Sequence, residues 1–391
     1  MVEWKEMWQV TTWDKRFSGV DMSMQPRVIK YHYYLANELT QLERQNGDIR
    51  ILYTTDKIAF ADSIDVNENI SEGEVVAIPW GGNVTIKYYK GRFVTADNRI
   101  ATSNNVDYLN NKFLYYWMTS QKDMIGSFYR GAGIQHPSMY KVLTMQVPIP
   151  ALSEQNRIVG ILDTFTASIE NLKQQIAERR KQYEYYRDQL LDFKGKEGVE
   201  TKALEDLVSS DCSLSYGIVQ PGDDVLDGVP VVRPVDLITT YIRLEGLKRT
   251  DQQISDSYKR TILKGDEILF CVRGTTGIMG LSTSELYGCN VTRGIVPVSF
   301  DNETTKMFVY YQLKSHRLQR MIEEKTNGTA LRQINIKDLR LLNIILPSLS
   351  EQSRIVSILD TFEASIANLE AQLKEREKQY EYYRNKLLTF E

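Results

Sequence analysis

The sequence predicts an α+β chain in which two mixed α/β domains are separated by two long antiparallel coiled-coil helices, giving pseudo-two-fold symmetry. Three observations lead to it. Residues 152–193 and 349–390 are copies of one another, identical at about 30 of 42 positions. Each copy carries an apolar stripe of heptad spacing. Each follows a segment of domain length, and landmarks recur in the same order in the two segments.

The first domain is expected over residues 1–150. Ser71-Glu72-Gly73-Glu74 reads as a turn feeding the apolar run Val75–Ile78, and Gly82 in Trp80-Gly81-Gly82-Asn83 lies nine residues past Gly73. A helical Leu114-Tyr115-Tyr116-Trp117 follows. Then come the polar loop at residues 130–136 and a closing run, Val147-Pro148-Ile149-Pro150. The first long helix is expected over residues 151–193. Its seam runs through Ile158, Leu162, Phe165, Ile169, Leu172, Ile176, Tyr183, Tyr186 and Leu190, interrupted by Arg179, whose long stem suits snorkelling. Ser153, placed after Pro150, offers a hydroxyl to cap the first turn, and Glu154 sits at the positive end of the helix dipole. Forty residues at 1.5 Å make a rod of about 60 Å.

Residues 194–198 form a linker. A handful of residues reaches at most about 20 Å, too little to carry the chain back along such a rod, so the second helix is expected to run antiparallel to the first. The second domain, residues 199–347, repeats the landmarks. Gly265 precedes Ile268–Phe270, and Gly274 stands in Arg273-Gly274-Thr275-Thr276, nine residues past Gly265. Val309-Tyr310-Tyr311-Gln312, the loop at 326–333 and Ile344-Ile345-Leu346-Pro347 complete the series. The second helix, residues 348–391, carries Ile355, Leu359, Phe362, Ile366, Leu369, Leu373, Tyr380, Tyr383 and Leu387 on its seam, interrupted by Arg376, with Ser350 as its cap. A narrow stripe with Glu, Lys, Arg and Gln elsewhere needs a second helix to cover it.

Composition narrows the function. Apolar residues make up 42% of the chain, enough for real cores. No window approaches a membrane span, and the first twenty residues carry Glu3, Lys5, Glu6, Asp14, Lys15 and Arg16 where a signal peptide would be apolar, so a cytoplasmic protein is expected. Three cysteines without CxxC spacing and three scattered histidines point to neither a disulfide framework nor a metal site. A net charge of −3 confines any grip on a polyanion to local patches or to a partner's surface. The loop tips hold residue types suited to DNA: Arg pairs bidentately with guanine, Asn or Gln with adenine, and glycine lets backbone approach a phosphate.

The proline followed by Leu-Ser-Glu-Gln-x-Arg-Ile-Val and Ile-Leu-Asp-Thr-Phe, present twice, each time after a variable domain with a Lys/Glu-Gly-Asp/Glu turn, resembles the specificity subunit of a type I restriction–modification enzyme over essentially the whole chain. The resemblance implies two target-recognition domains, each reading half of a bipartite DNA site, with the helices fixing the spacer and docking two adenine methyltransferase subunits. Motor-nuclease subunits join through these. It implies a prokaryotic, non-catalytic chain that binds no cofactor itself. S-adenosylmethionine belongs to the methyltransferase partner, ATP and Mg to the motor nuclease. In keeping with this, no amino-methyltransferase Asn/Asp-Pro-Pro-Tyr/Phe, no GxxxxGK[ST] and no nuclease signature is present, and a base-flipping pocket is not evident. The two half-sites should differ in sequence and lie about one DNA turn, roughly 34–36 Å, apart. Expected contacts are Asn83, Lys87, Arg99, Arg130 and Gln135 in the first domain, and Arg273, Thr275, Arg293, Asn327, Arg332 and Gln333 in the second. The alternatives are a coiled-coil scaffold or adaptor, and a fused DNA methyltransferase or endonuclease with diverged motifs.

Overall fold

The computed structural model describes residues 2–66, 69–328 and 332–390. The chain forms two compact units, one of residues 1–173 and 372–391 and the other of residues 174–371. The division falls inside both long helices, Leu152–Leu190 and Leu349–Leu387, so each unit takes the start of one copy and the end of the other.

The first unit is built on a six-stranded sheet in the order Thr11–Trp13, Asn98–Ser103, Ser71–Pro79, Lys87–Thr95, Ile49–Leu52, Ile58–Ala61. All pairings are antiparallel except that of Ile49–Leu52 with Lys87–Thr95. Val75, Val76, Ala77 and Ile78 are buried in succession because the strand is covered on both faces. Val76 and Ile78 join the core that holds the helices, whereas Val75 and Ala77 pack with Leu52, Phe93 and Ile100. Gly73 lies within this strand and not in a turn, a correction to the sequence reading. Helix Asn111–Ser120 buries Phe113, Leu114, Tyr116 and Trp117 against Ile158 and Leu162 of the first copy and Leu388 of the second. The closing run Gln146–Ile149 pairs antiparallel with the opening strand Glu3–Glu6.

The second unit has two three-stranded sheets, Lys248–Thr250, Val229–Val232, Asn290–Val291 and Met279–Leu281, Ile268–Cys271, Ile295–Val298. Here the glycine of the Lys-Gly-Asp turn does need its freedom: Gly265 has φ +89°, and a Cβ would stand 2.6 Å from the Thr283 carbonyl. Helix Glu303–Lys314 packs Phe308, Tyr310 and Tyr311 on Ile355 and Leu359 of the second copy and on Tyr183, Leu191 and Phe193 of the first. Asn343–Leu346 closes the unit against Glu200–Ala203.

Within each unit the two helix segments run antiparallel. In the first, Phe165 stacks on Tyr383 at 5.3 Å and Lys173 pairs with Glu377 at 3.2 Å. In the second, Tyr186 stacks on Phe362 at 5.6 Å and Arg180 pairs with Glu370. Advance along one copy accompanies retreat along the other. The seam arginines lie over the facing aromatics, Arg376 above Phe165 and Arg179 above Phe362, where a cation meets the negative ring face. Ile158, Leu162, Ile355 and Leu359 are fully buried, while Tyr186 and Tyr383 keep 48% and 40% of their surface exposed despite their stacking.

The helix openings correct a second expectation. Both helices begin one residue earlier than Ser153 and Ser350, so these serines sit inside the first turn. The Ala151 carbonyl receives the amides of Glu154 and Gln155 in the first copy, and the Ser348 hydroxyl accepts from the Glu351 amide in the second. The residue that pins each opening is the buried glutamine of Leu-Ser-Glu-Gln. Gln155 donates to the carbonyls of Pro150 and Tyr108 and accepts from the Asn110 amide, all at 2.9 Å. Gln352 donates to the Pro347 carbonyl and accepts from the Thr305 hydroxyl. Two turns further on, Asp163 accepts the Tyr116 hydroxyl and Asp360 accepts the Tyr311 hydroxyl. The aspartate of Ile-Leu-Asp-Thr-Phe therefore fastens each long helix to the tyrosine helix of its own unit.

Candidate nucleic-acid interface

Each unit presents a tip made from two loops tied together by main-chain hydrogen bonds. In the first unit the strand Ser71–Pro79 runs out into Trp80-Gly81-Gly82-Asn83, and the Gly82 amide donates to the Gln135 carbonyl at 3.1 Å. In the second, the strand Ile268–Cys271 runs out into Arg273-Gly274-Thr275, and the Gly274 amide donates to the Arg332 carbonyl at 2.8 Å. Both glycines have φ +88°, a turn that side chains resist. Arg130 bridges antiparallel to His136 in the first unit, as Asn327 does to Gln333 in the second. The offset that aligns Gln155 with Gln352 thus also aligns Arg130 with Asn327, Gln135 with Arg332 and His136 with Gln333.

Of the residues expected to contact DNA, the first tip brings together Asn83, Arg130 and Gln135, all exposed. Lys87 opens the next strand, half-buried, with its ammonium donating to Thr85 Oγ1 at 2.6 Å. Burial pushes that ammonium down to about 8, helped by Arg50 and opposed by Asp56. Arg99 is placed otherwise. It is 4% exposed, it donates to Asp97 Oδ1 at 2.7 Å, and its guanidinium lies 3.9 Å from the centre of the Trp80 ring. It supports the tip from beneath and offers DNA no free edge, which corrects its reading as a surface contact.

The second tip collects all six expected residues. Arg273 forms an antiparallel bridge with Gln333, Thr275 is exposed on the same turn, and Asn327 and Gln333 exchange amide and carbonyl at 2.9 Å. Arg293 is exposed beside Gly294, whose carbonyl receives the amide of Val272. Arg332 is exposed and paired with Glu323 at 3.0 Å. Among the described residues no ion pair engages Arg130, Arg273 or Arg293. Thr329, Ala330 and Leu331 of the second loop lie outside the described residues. A cleft of about 660 Å³ opens beside this tip, lined by Gly274, Thr275, Arg320, Glu323 and Arg332. A larger one, about 1140 Å³, lies along Arg180, Tyr183 and Arg187 against residues 238–245 and contains none of the expected contacts.

Sequence reasoning missed the aromatic base of the first tip. Trp80 and His136 lie 5.0 Å apart, and His136 Nδ1 is 2.8 Å from the Trp80 carbonyl. The signal was available, since continuing the alignment of the long helices back through the loops places His136 opposite Gln333. Among the described residues no group of three His, Cys, Asp or Glu could hold a metal ion, and no helix is long and apolar enough to cross a membrane.

Comparison with known proteins agrees with this architecture. Residues 29–179 and 218–378 match the family model described as type I restriction modification DNA specificity domain. The chain is 25% identical over 293 residues to the EcoBI specificity subunit of Escherichia coli, covering 68% of this chain and 62% of that one. With the E. coli EcoR124I/EcoR124II specificity subunit it shares 29% over 299 residues, 71% and 70% of the two chains. With a putative type I specificity subunit of Haemophilus influenzae it shares 30% over 347 residues, 82% and 83%. Among solved structures, the S subunit from M. genitalium superposes with TM-score 0.65 at 14% identity, covering 100% of this chain and 97% of that one, a likeness of fold.

Proposed function

The chain belongs to the type I restriction–modification DNA specificity family, and we propose that within such a complex it reads a bipartite DNA target, one half through each tip. The observation that carries this reading is the recurrence of one two-loop frame with different side chains upon it. Gln135 and His136 stand in one unit where Arg332 and Gln333 stand in the other. A shared frame suits a common way of meeting the duplex. Different side chains suit two different half-sites. The domains that read are residues 1–150 and 199–347, and the long helices set the separation of the half-sites.

Exposed positions shared by both helix copies are the docking surface for two adenine methyltransferase subunits, which bring S-adenosylmethionine. Tyr185 and Tyr382, at equivalent positions in the copies, keep 61% and 59% of their surface exposed, and exposed aromatics of this kind anchor protein interfaces. One surface present twice suits one partner bound twice. Motor-nuclease subunits, with ATP and Mg, would join through the methyltransferases.

The direct experiment is to express the chain with an adenine methyltransferase partner and to locate methylated adenines genome-wide by single-molecule sequencing. A single asymmetric bipartite motif is the expected result, and methylation without such a motif would overturn the reading. In the same assay Arg273→Ala is expected to cost about 1–3 kcal/mol and to relax one position of one half-site, leaving the other half intact. An unchanged motif would remove Arg273 from the reading set.

Lys87 gives a dependence on pH. A phosphate favours the charged ammonium, whose proton is already in place in the free protein below pH 8 and must be taken up from solution above it. DNA affinity of the complex is therefore expected to fall as pH rises through about 8, and to stay level over that range in Lys87→Arg, because guanidinium keeps its proton. Titrations of a labelled duplex at pH 7 and pH 9 with both proteins check it, and parallel curves would show that Lys87 touches no phosphate.

A further inference from the structure

We infer that His136 reads a base in the first half-site, presenting the Nε2 lone pair to the exocyclic amino group of an adenine or a cytosine. The inference rests on the proposal that the tips face DNA, and it adds a determinant absent from the contacts expected from sequence.

Nδ1 lies 2.8 Å from the carbonyl oxygen of Trp80. A carbonyl has no proton to give, so Nδ1 carries the hydrogen and donates it, and in the neutral imidazole Nε2 is left as a bare acceptor. The ring is also held in place. It packs on Trp80 with 5.0 Å between centroids, and Arg99 braces Trp80 with its guanidinium 3.9 Å from the ring centre. Gly81 leaves the space the ring needs, since a Cβ there would stand 2.7 Å from Ile134 Cγ2 and 3.2 Å from His136 Cε1. His136 itself is exposed, beside Asn83 and Gln135 on the same tip. It occupies the place taken in the other unit by Gln333, because the Arg130–His136 bridge corresponds to the Asn327–Gln333 bridge.

A fixed acceptor on a rigid aromatic base selects donors. In the major groove the amino groups of adenine N6 and cytosine N4 are the base-edge donors, while guanine and thymine offer acceptors there. An oriented Nε2 therefore favours an amino-bearing base at one position and disfavours the others.

The test uses the chain assembled with its methyltransferase partner, after the motif of the wild-type complex has been mapped. Duplexes are made in which each adenine of the first half-site, other than the one that accepts the methyl group, is replaced in turn by purine lacking the 6-amino group, and each cytosine by pyrimidin-2-one lacking the 4-amino group. The wild-type complex is expected to lose about threefold to tenfold in methylation rate at one position, the worth of a single neutral hydrogen bond. His136→Phe, which keeps the stack and removes Nε2, is expected to show that loss on the natural duplex and no further loss on the analogue. His136→Gln, which restores an acceptor, should recover part of the rate and of the sensitivity to the analogue. Response to the purine arm identifies adenine, response to the pyrimidinone arm cytosine. If His136→Phe stays as sensitive as wild type to every analogue, His136 is not a reader and the inference is overturned. Absence of any bipartite motif in the wild-type map would instead remove the underlying assignment of the tips to DNA.

Discussion

Replacing Leu162 with alanine is expected to destabilise the first unit by about 2–5 kcal/mol, the range for deleting a fully buried leucine from a packed core. Leu162 is 0% exposed, and the same core holds Phe113, Tyr116, Val147 and Leu388. It therefore joins the tyrosine helix, the closing strand of the domain and the far end of the other helix copy in one cluster. Removal of its side chain leaves a cavity that four elements would have to shift to fill, which places the cost toward the upper part of the range. For a unit of this size the corresponding fall in melting temperature is about 4–20 °C. Hydrogen exchange gives the sharper readout. Protection should drop around Phe113, Tyr116 and Leu388 and hold around Phe308 and Tyr310, which pack with Leu359 in the other core. Equal loss in both regions would show that the two cores do not respond separately.

Gln155→Ala should cost about 3 kcal/mol or more, since each of the three buried polar groups it leaves without a partner costs about 1–3 kcal/mol. The substitution strands the amide of Asn110 and the carbonyls of Pro150 and Tyr108 at once. Asn110 is also the residue whose side chain caps helix Asn111–Ser120, accepting from the amides of Lys112 and Phe113, so disturbance there reaches the helix that carries Tyr116. Gln352→Ala is the comparison. It releases the Pro347 carbonyl and the Thr305 hydroxyl, and a hydroxyl at the end of a rotatable bond turns to water where a main-chain amide has no such freedom. The expected order is therefore a larger loss for Gln155 than for Gln352, measured by chemical denaturation of the two variants. The reverse order would mean that the glutamine network is not what anchors the first helix.

Much of this architecture was legible in the sequence because it is periodic or repeated. The seam positions follow from the four-three spacing of Ile158, Leu162, Phe165 and their counterparts, and the antiparallel pairing from the shortness of the linker. The domain landmarks were legible through Gly82 and Gly274, whose spacing from Gly73 and Gly265 survives although their surroundings diverge. What escaped the sequence depends on single dihedral angles or on partners far along the chain. Whether a serine caps a helix is decided by where the first helical residue falls, and here it falls at Leu152 and Leu349, one position before the serines. Gly73 and Gly265 look alike in sequence, yet one continues a strand and the other turns at φ +89°. Arg99 has the chemistry to read guanine, but Asp97, two residues away, and Trp80, across the sheet, take up its guanidinium first. His136 was passed over because a histidine in a polar loop carries no pattern of its own. Its meaning appears only when the loop is set against its counterpart.

The tie common to both tips runs from a glycine amide to a main-chain carbonyl, and the side chains of His136 in one and Thr276 in the other only add to it. Retargeting is therefore decoupled from folding. Residues flanking the tie differ freely between the units while the tie persists, so randomising positions 83, 130 and 135 should yield a population of soluble variants with new recognition sequences, and the evolutionary route from one specificity to another need not cross an unfolded ancestor.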